Sequence, residues 1–284
     1  MSRPFITVRL TVFIASLLVG PLAAISPVGA ATEAASSNKL SAIFSYSGTY
    51  PQAHDPQLRI SWSGKLLYSR RVTSTWCGNE CWPDLNGTGQ VALHVVHLEP
   101  HHPPSVVLDL FSGGAHCCSI EQIYSLDPRT GHVQKVEHNF GDPGVRLVRI
   151  GPDGSFDLVS ADDAFAYAFT DYAASGMPIE ILQFSNNRLR DVTRSFPRLI
   201  AQNARLWLSA FDSSASSHFQ DTVGIVAAWT ADEDLLGHFA LTRTFLATQA
   251  KAGHLNCALS PIEPSGQRFV VTLEKFLRTH HFLK

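Results

Sequence analysis

Short runs of β-forming residues, separated by turn residues, occupy the chain from residue 40 to about residue 192. Apolar and polar positions alternate in 58–62 and 133–137, which is typical of strands with one face on a core and one in water. Clusters of Gly, Pro, Asn and Asp separate the runs, as at 127–131 and 185–187. This spacing predicts an antiparallel β region. The predicted strands are 42–46, 58–62, 65–72, 91–98, 106–111, 119–126, 133–140, 156–160, 165–170, 179–184 and 189–192.

After Pro197 the apolar period changes from two to about 3.6, which predicts helices. The third helix is predicted to begin with Asp232 as its cap and to end near Gly253, and the fourth to follow Ser265. We interpret the apolar stripes as core packing. The stripes are Ile200, Ala204, Trp207, Leu208 and Phe211; Phe219, Val223, Val226, Ala227 and Thr230; Leu235, Leu236, Phe239, Phe245 and Leu246; and Phe269, Leu273, Phe276 and Leu277.

The predicted fold class is α+β, with an antiparallel β region of blade-like repeats at 40–196 and a C-terminal helical bundle at 197–284. Two or three blades cannot close a propeller, so we expect helices to cover open sheet edges.

Residues 1–30 differ in composition from the rest of the chain. Two arginines precede an apolar run at 10–19, and the segment closes on small residues at 28–30, which is typical of a secretory signal peptide cleaved after Ala30. An uncleaved anchor helix is the alternative, although a membrane span needs about 20 apolar residues. Residues 31–39 are small and polar and are predicted to form a flexible mature N-terminus. No later segment is apolar enough to span a bilayer, so we expect a secreted or periplasmic protein.

Without residues 1–30 the chain keeps 20 basic against 24 acidic residues. A nucleic-acid surface needs a basic patch, which this balance does not provide. The hydrophobic content of 45% suits a globular protein with a buried core.

Five cysteines in an exported chain predict disulfides among Cys77, Cys81, Cys117 and Cys118, with Cys257 as an odd thiol. The connectivity stays open, because both neighbouring pairs are close in sequence. We favour a link between the 77/81 pair and the 117/118 pair, since closing a loop of about 40 residues stabilises a fold by roughly 4 kcal/mol.

The most conspicuous segment is Ser-Gly-Gly-Ala-His-Cys-Cys at 112–118, directly after the apolar run 106–111. Gly113 and Gly114 are expected to form a structural turn, because glycine adopts positive φ freely.

Carboxylates and one histidine are the candidates for acid–base chemistry. Asp109 lies inside an apolar run and is interpreted as a hydrogen-bonded structural carboxylate. Asp162 and Asp163 could act as paired carboxylates, with Tyr167, Phe169 and Tyr172 stacking on sugar rings. Together with His116 these acids define an alternative function, a hydrolase acting on a polysaccharide or other envelope polymer.

A second alternative is a metal-binding protein that uses His/Cys-rich loops, since imidazole and thiolate are preferred zinc and copper ligands. The spacing fits no standard finger, and disulfide-bonded cysteines cannot ligate a metal. The residues concerned are His101, His102, His116, Cys117 and Cys118.

Segments 96–107 and 148–159 each place a turn-rich loop between an apolar run and a β run. This frame resembles the FG-GAP or VCBS-type repeat, and 106–119 with its Ser-Gly-Gly-Ala-His-Cys-Cys core resembles uncharacterised secreted bacterial proteins that carry such loops. The resemblance implies β-propeller-like blades with calcium loops. By position, the resemblance implies that the calcium ligands of the first loop correspond to His97, Glu99, His101 and Ser105. Those of the second loop correspond to Arg149, Gly151, Asp153 and Asp157.

Calcium takes six to eight oxygen ligands, including several carboxylates. The first loop offers one carboxylate and the second offers two, so we expect degenerate loops that keep the turn without the ion. The metal candidates of these loops are Glu99, His101, Asp153 and Asp157.

The primary prediction is therefore an exported, non-enzymatic binding or structural module of the cell envelope or secreted fraction. We expect no cofactor, calcium being the alternative, and an unknown envelope or extracellular ligand as the partner. Nucleic acid and a membrane span after signal removal are not expected.

Overall fold

The computed structural model describes residues 30–49, 52–86, 90–127, 129–257 and 264–283. The predicted signal peptide, except for Ala30, lies outside the described residues. The strands are β1 (Ala30–Ser37), β2 (Leu40–Thr49), β3 (Gln52–Trp62), β4 (Lys65–Arg71), β5 (Trp82–Pro83), β6 (Leu93–Val96), β7 (Ser105–Phe111), β8 (Ser119–Asp127), β9 (His132–Gly141), β10 (Arg146–Val148), β11 (Asp157–Ala161), β12 (Ile179–Ser185) and β13 (Arg188–Asp191). The helices are α1 (Pro197–Ser213), α2 (Val223–Leu235), α3 (Phe239–Ala252) and α4 (Gly266–Thr279).

These strands form three antiparallel sheets. The N-terminal sheet has the order β1-β2-β3-β4 and the C-terminal sheet the order β10-β11-β12-β13. The middle sheet has the order β5-β7-β8-β9, and β6 also pairs with β7. All the pairings run antiparallel, and the four helices follow the last sheet, which confirms the α+β class.

The two central strands of the middle sheet, β7 and β8, are buried on both faces. On β7, Val106, Leu108 and Leu110 share a core with Phe44 and other residues of the N-terminal sheet. Val107 points the other way and packs with residues of the C-terminal sheet such as Phe184. A strand buried on both faces needs apolar residues at nearly every position, which explains the continuous apolar run in β7.

The helices share their core with the segment that links β11 to β12. Phe165 and Phe169 of that segment pack with Phe269 and Leu273 of α4. This shared core joins the helical part of the chain to the β part. Among the described residues, no helix is both long and apolar enough to cross a membrane.

Most helix boundaries follow the sequence signals. Pro197 is the first residue of α1, and Gly253 ends α3 with a φ of 76°. The predicted role of Asp232 is wrong, because this residue lies inside α2 and is fully buried. Its two carboxylate oxygens accept hydrogen bonds from the backbone N–H of Ile179 and the side-chain amide of Asn203.

The sequence predicts that residues 31–39 are flexible, but most of them form β1, which pairs with β2 over its whole length. The Oε2 atom of Glu33 accepts hydrogen bonds from the N–H groups of Ala92 and Leu93, at 2.8 and 2.9 Å. This contact ties β1 to β6. The sequence does not predict β1, because the hydropathy of its small residues does not alternate.

The predicted strand at 165–170 is also wrong. A 3₁₀ helix at Asp163–Phe165 and turns occupy this segment. Asp162 caps the 3₁₀ helix by accepting from the N–H of Ala164, and Phe165 and Phe169 both turn into the helical core. In a strand Phe165, Tyr167 and Phe169 would share one face, whereas here Tyr167 is exposed and only the two phenylalanines are buried.

The structure joins Cys77 to Cys81 and Cys117 to Cys118, so the favoured long-range link is absent. Paired backbone hydrogen bonds between Ser74 and Gly78 close a tight turn that contains Cys77. The Cα atoms of Cys77 and Cys81 are 5.1 Å apart, within disulfide range. Cys257 is a buried free thiol.

Chymotryptic peptides from unreduced protein distinguish the two connectivities. Cleavage at Leu93, Leu98 or Leu110 falls between the two cysteine pairs. We expect the fragments that carry Cys77–Cys81 and Cys117–Cys118 to separate without reductant in mass spectrometry. A fragment of combined mass that falls apart only on reduction would contradict the local pairing.

Candidate functional site

An open polar cleft of about 690 Å³ lies where the middle sheet, the C-terminal sheet and α1 meet. This volume is typical of small-molecule sites. The middle sheet and the segments next to it contribute Asp84, Asn86, Phe111, Ala115 and Ser119. The turn before β10 and the C-terminal sheet contribute Asp142–Arg146, Val159–Ala161, Ser175, Met177 and Ile179, and α1 contributes Asn203 and Trp207.

The two central strands of the middle sheet lead from the apolar core to this cleft. The face towards the C-terminal sheet carries three cross-strand pairs in succession, which are Val107 with Ile123, Asp109 with Glu121, and Phe111 with Ser119. The first pair is core, the second is acidic, and the third lines the cleft. The acidic pair therefore lies directly beneath the cleft lining.

Asp84 connects the cleft to that acidic pair. It follows β5, is 7% exposed, and its backbone N–H donates to the carbonyl of Asp109 at 2.9 Å. Its Oδ2 accepts from the Ser119 hydroxyl at 2.7 Å and its Oδ1 from the N–H of Asn86 at 2.9 Å. The described residues place no lysine, arginine or histidine in an ion pair with this carboxyl group. Its carboxyl group is thus positioned by hydrogen bonds alone.

Asp109 and Glu121 form a buried carboxyl pair. Burial is the main cause that raises the pKa of Asp109 to about 8, and burial and then the charge of Asp109 raise the pKa of Glu121 well above its ordinary value. With both groups ionised, Asp109 Oδ1 and Glu121 Oε2 would have no donor. A hydrogen bond between the two side chains requires a shared proton, so the pair holds at least one proton at neutral pH.

His94 on β6 extends this pair. Its Nε2 lies 3.1 Å from Asp109 Oδ2, and the ring also hydrogen-bonds the backbone of Val91. Burial lowers the pKa of His94, so the ring is neutral at neutral pH. The contact is therefore a hydrogen bond rather than an ion pair.

The rim of the cleft carries aromatic rings from two segments. The His116 ring lies 4.3 Å from that of Tyr172, which in turn lies 5.5 Å from the ring of Tyr167. His116 Nδ1 is 3.6 Å from Asp142 Oδ2, and the N–H of Asp142 donates to Asp163 Oδ1. The 112–118 loop that positions His116 contains Gly113 and Gly114 at φ values of 83° and 106°.

The four acid–base candidates do not share one site. Asp109 is buried in β7 and does not line the cleft, whereas His116 and Asp163 contact Asp142 at its edge. Asp162 lines a separate cavity of about 90 Å³ with Glu180, whose pKa is raised to about 7, mainly by burial. Phe169, the third aromatic candidate, is buried in the helical core.

Three of the four metal candidates in the calcium-type loops, Glu99, Asp153 and Asp157, accept hydrogen bonds of the fold, and His101 is exposed. Glu99 Oε2 accepts from the N–H of Asn186, and Asp153 Oδ1 accepts from that of Ser155. Asp157 is buried and accepts from the side-chain amide of Gln183. Nowhere in the described ranges do three His, Cys, Asp or Glu side chains come together as a metal site.

The sequence did not single out Asp84 as an acid–base residue, nor Asn203 as a cleft residue. Asn203 and Trp207 are four residues apart on α1 and therefore lie on one helix face. The available signal in the sequence was Asn203, a polar residue one turn before Trp207 on an otherwise apolar stripe. The Trp207 indole N–H is buried and has no hydrogen-bond partner among the described residues.

Two known proteins are similar to part of the chain. An uncharacterised protein of Sinorhizobium fredii, y4bJ, is 27% identical over 185 residues, which is 64% of this chain and 28% of the relative. A probable thylakoid lumen protein of Synechocystis, sll0997, is 25% identical over 149 residues, which is 51% of this chain and 44% of the relative. The matched region thus spans less than half of each relative.

No protein-family model matches the chain, and no solved structure matches it. The resemblance to FG-GAP repeats and to proteins with the Ser-Gly-Gly-Ala-His-Cys-Cys core therefore stays a prediction.

The buried carboxyl pair predicts that stability falls as pH rises. Folded Asp109 keeps its proton up to about pH 8, whereas an aspartate in an unfolded chain loses it near pH 4. Between these values the folded state binds more protons, so the free energy of unfolding decreases with pH. A pKa difference of one corresponds to about 1.4 kcal/mol, and we expect at least about this loss between pH 5 and pH 8 in urea titrations.

Asp109→Asn should reduce this loss, because the amide stays neutral at both pH values. Asp212→Asn, at an exposed position of α1, is the matched control and should keep the wild-type dependence on pH. Equal pH dependence in all three proteins would contradict a proton held by the pair.

Proposed function

We propose that the protein is an exported, non-enzymatic binding module of the cell envelope or secreted fraction, and that its ligand occupies the polar cleft. The observation that carries this proposal is the cleft itself, which is open, has the volume of a small-molecule site and is lined by polar groups. Trp207 is one of the lining residues, and its indole N–H is buried and has no partner in the described part of the chain.

A binding role fits the cleft better than hydrolysis does. A hydrolase needs a nucleophile or two acid–base groups facing one reacting atom. Asp109 and Glu121 lie beneath the lining, and Asp162 belongs to another cavity. Asp84 and Asp142 reach the cleft, but each is already engaged, Asp84 by hydrogen bonds and Asp142 beside His116.

An extracytoplasmic location is supported by three observations. Residues 1–30 have the pattern of a signal peptide, and four of the five cysteines are paired in disulfides, which persist in oxidising compartments. One relative is described as a probable thylakoid lumen protein, and a lumen lies outside the cytoplasm.

Narrowing the cleft tests the binding role. Ala115 is exposed and lines the cleft, so Ala115→Trp fills space there without removing a core contact. Ala240→Trp, at an exposed position of α3, is the matched control. We expect native mass spectrometry to detect one bound small molecule from the low-mass fraction of the host envelope on wild type and on Ala240→Trp, and at least about tenfold less on Ala115→Trp. No bound molecule on wild type, or equal occupancy in all three, would contradict the proposal.

A reporter fusion tests export. Residues 1–30 placed before alkaline phosphatase, which needs disulfides to become active, should yield active enzyme because the oxidising compartment lies outside the cytoplasm. The same reporter without this segment is the control and should stay inactive. Activity at the level of the control would remove the export part of the proposal.

A further inference from the structure

The lining of the cleft is rich in uncharged hydrogen-bonding groups. Its charged members are Asp84, Asp142 and Arg146, so it has no surplus of positive charge for a phosphate or other anion. The uncharged polar groups are Asn86, Ser119, Ser160, Ser175, Asn203 and the Trp207 indole. This chemistry fits a neutral ligand with many hydroxyl groups.

The directions of the hydrogen bonds in the lining also favour a ligand with hydroxyl groups. The hydroxyl protons of Ser119 and Ser160 are donated to Asp84 and to the carbonyl of Gly144, so both hydroxyls present lone pairs to the cleft. The Trp207 indole can only donate. A sugar hydroxyl both donates and accepts, and can therefore satisfy a lining of mixed polarity.

The rings of His116, Tyr172 and Tyr167, here named the aromatic strip, continue from the cleft along its rim. His116 directly follows Ala115 of the lining, and its partner Asp142 is also in the lining. At the other end, the N–H of Tyr167 donates to the hydroxyl of Ser175, a third lining residue, at 3.1 Å. Tyr167 is 55% exposed, so its ring can still accept a partner.

We propose that the ligand is a saccharide chain, with one end in the cleft and its next rings on the aromatic strip. This inference rests on the proposed function and names its ligand class. Sugar rings have C–H faces that pack on aromatic rings through dispersion and weak C–H contacts, while their hydroxyls meet the polar lining. A polar cleft continuous with exposed aromatic rings provides both surfaces.

Titration calorimetry with maltohexaose, cellohexaose and chitohexaose tests the inference. We expect wild type to bind at least one of them with a micromolar to millimolar Kd. Tyr167→Ala on the strip and Trp207→Phe in the cleft should each weaken that binding by about tenfold. Trp207→Phe keeps a six-membered aromatic ring and removes the five-membered ring of the indole, together with an N–H that has no partner in the described fold.

Trp76→Ala is the matched control, because Trp76 is an exposed aromatic residue that belongs to neither the cleft nor the strip. It should bind as wild type does, and melting temperatures of all variants check that they fold. No binding of any of the three hexasaccharides to wild type would overturn the saccharide inference. The proposed binding function would remain supported in that case if Ala115→Trp bound less of the molecule from the envelope fraction than wild type does. Saccharide binding that neither Tyr167→Ala nor Trp207→Phe weakens would also overturn it.

Discussion

The burial of β7 and β8, the central strands of the middle sheet, on both faces is the constraint on which the rest of the structure depends. β7 has one face against the N-terminal sheet and the other against the C-terminal sheet, so the apolar surface of three sheets is removed from water at one strand. Because hydrophobic burial is the dominant favourable term in folding, this strand organises the core of the β part. The helices then pack on the segment between β11 and β12 and complete the wall of the cleft.

That same burial makes the acidic pair unusual. Carboxyl groups in such a place are stable when protonated and hydrogen-bonded. Burial raises the pKa of both Asp109 and Glu121, and their side chains hydrogen-bond each other. Asp84, one hydrogen bond away, keeps its carboxyl group in the cleft lining with donors from Ser119 and Asn86. A buried acidic pair and a cleft-lining acid thus lie next to each other, and their positions separate a structural role from a ligand-facing one.

The sequence predicted the fold class, the positions of most strands and the start of α1, because these depend on local periodicity and on Pro197. It did not predict β1, whose small side chains carry no periodic signal and whose place depends on the contact of Glu33 with β6. The cleft could not be predicted from local patterns, because Asp84, Ser160 and Trp207 come together only when the middle sheet, the C-terminal sheet and α1 have packed. Sequence did indicate His116, Tyr167 and Tyr172, yet it grouped them with Asp109 and Asp162, which the packing places elsewhere.

The succession of apolar, acidic and cleft-lining pairs along β7 and β8 also has a consequence for how the sheet assembles. Sliding either strand by one residue exchanges its two faces, because side chains alternate sides along a strand. Such a slip would move Asp109 or Glu121 into the core shared with the N-terminal sheet and separate it from its carboxyl partner. An unpaired carboxyl group in an apolar core is strongly unfavourable. The acidic pair therefore favours the correct strand register. It makes a mispaired sheet less stable than it would be if both strands were purely apolar.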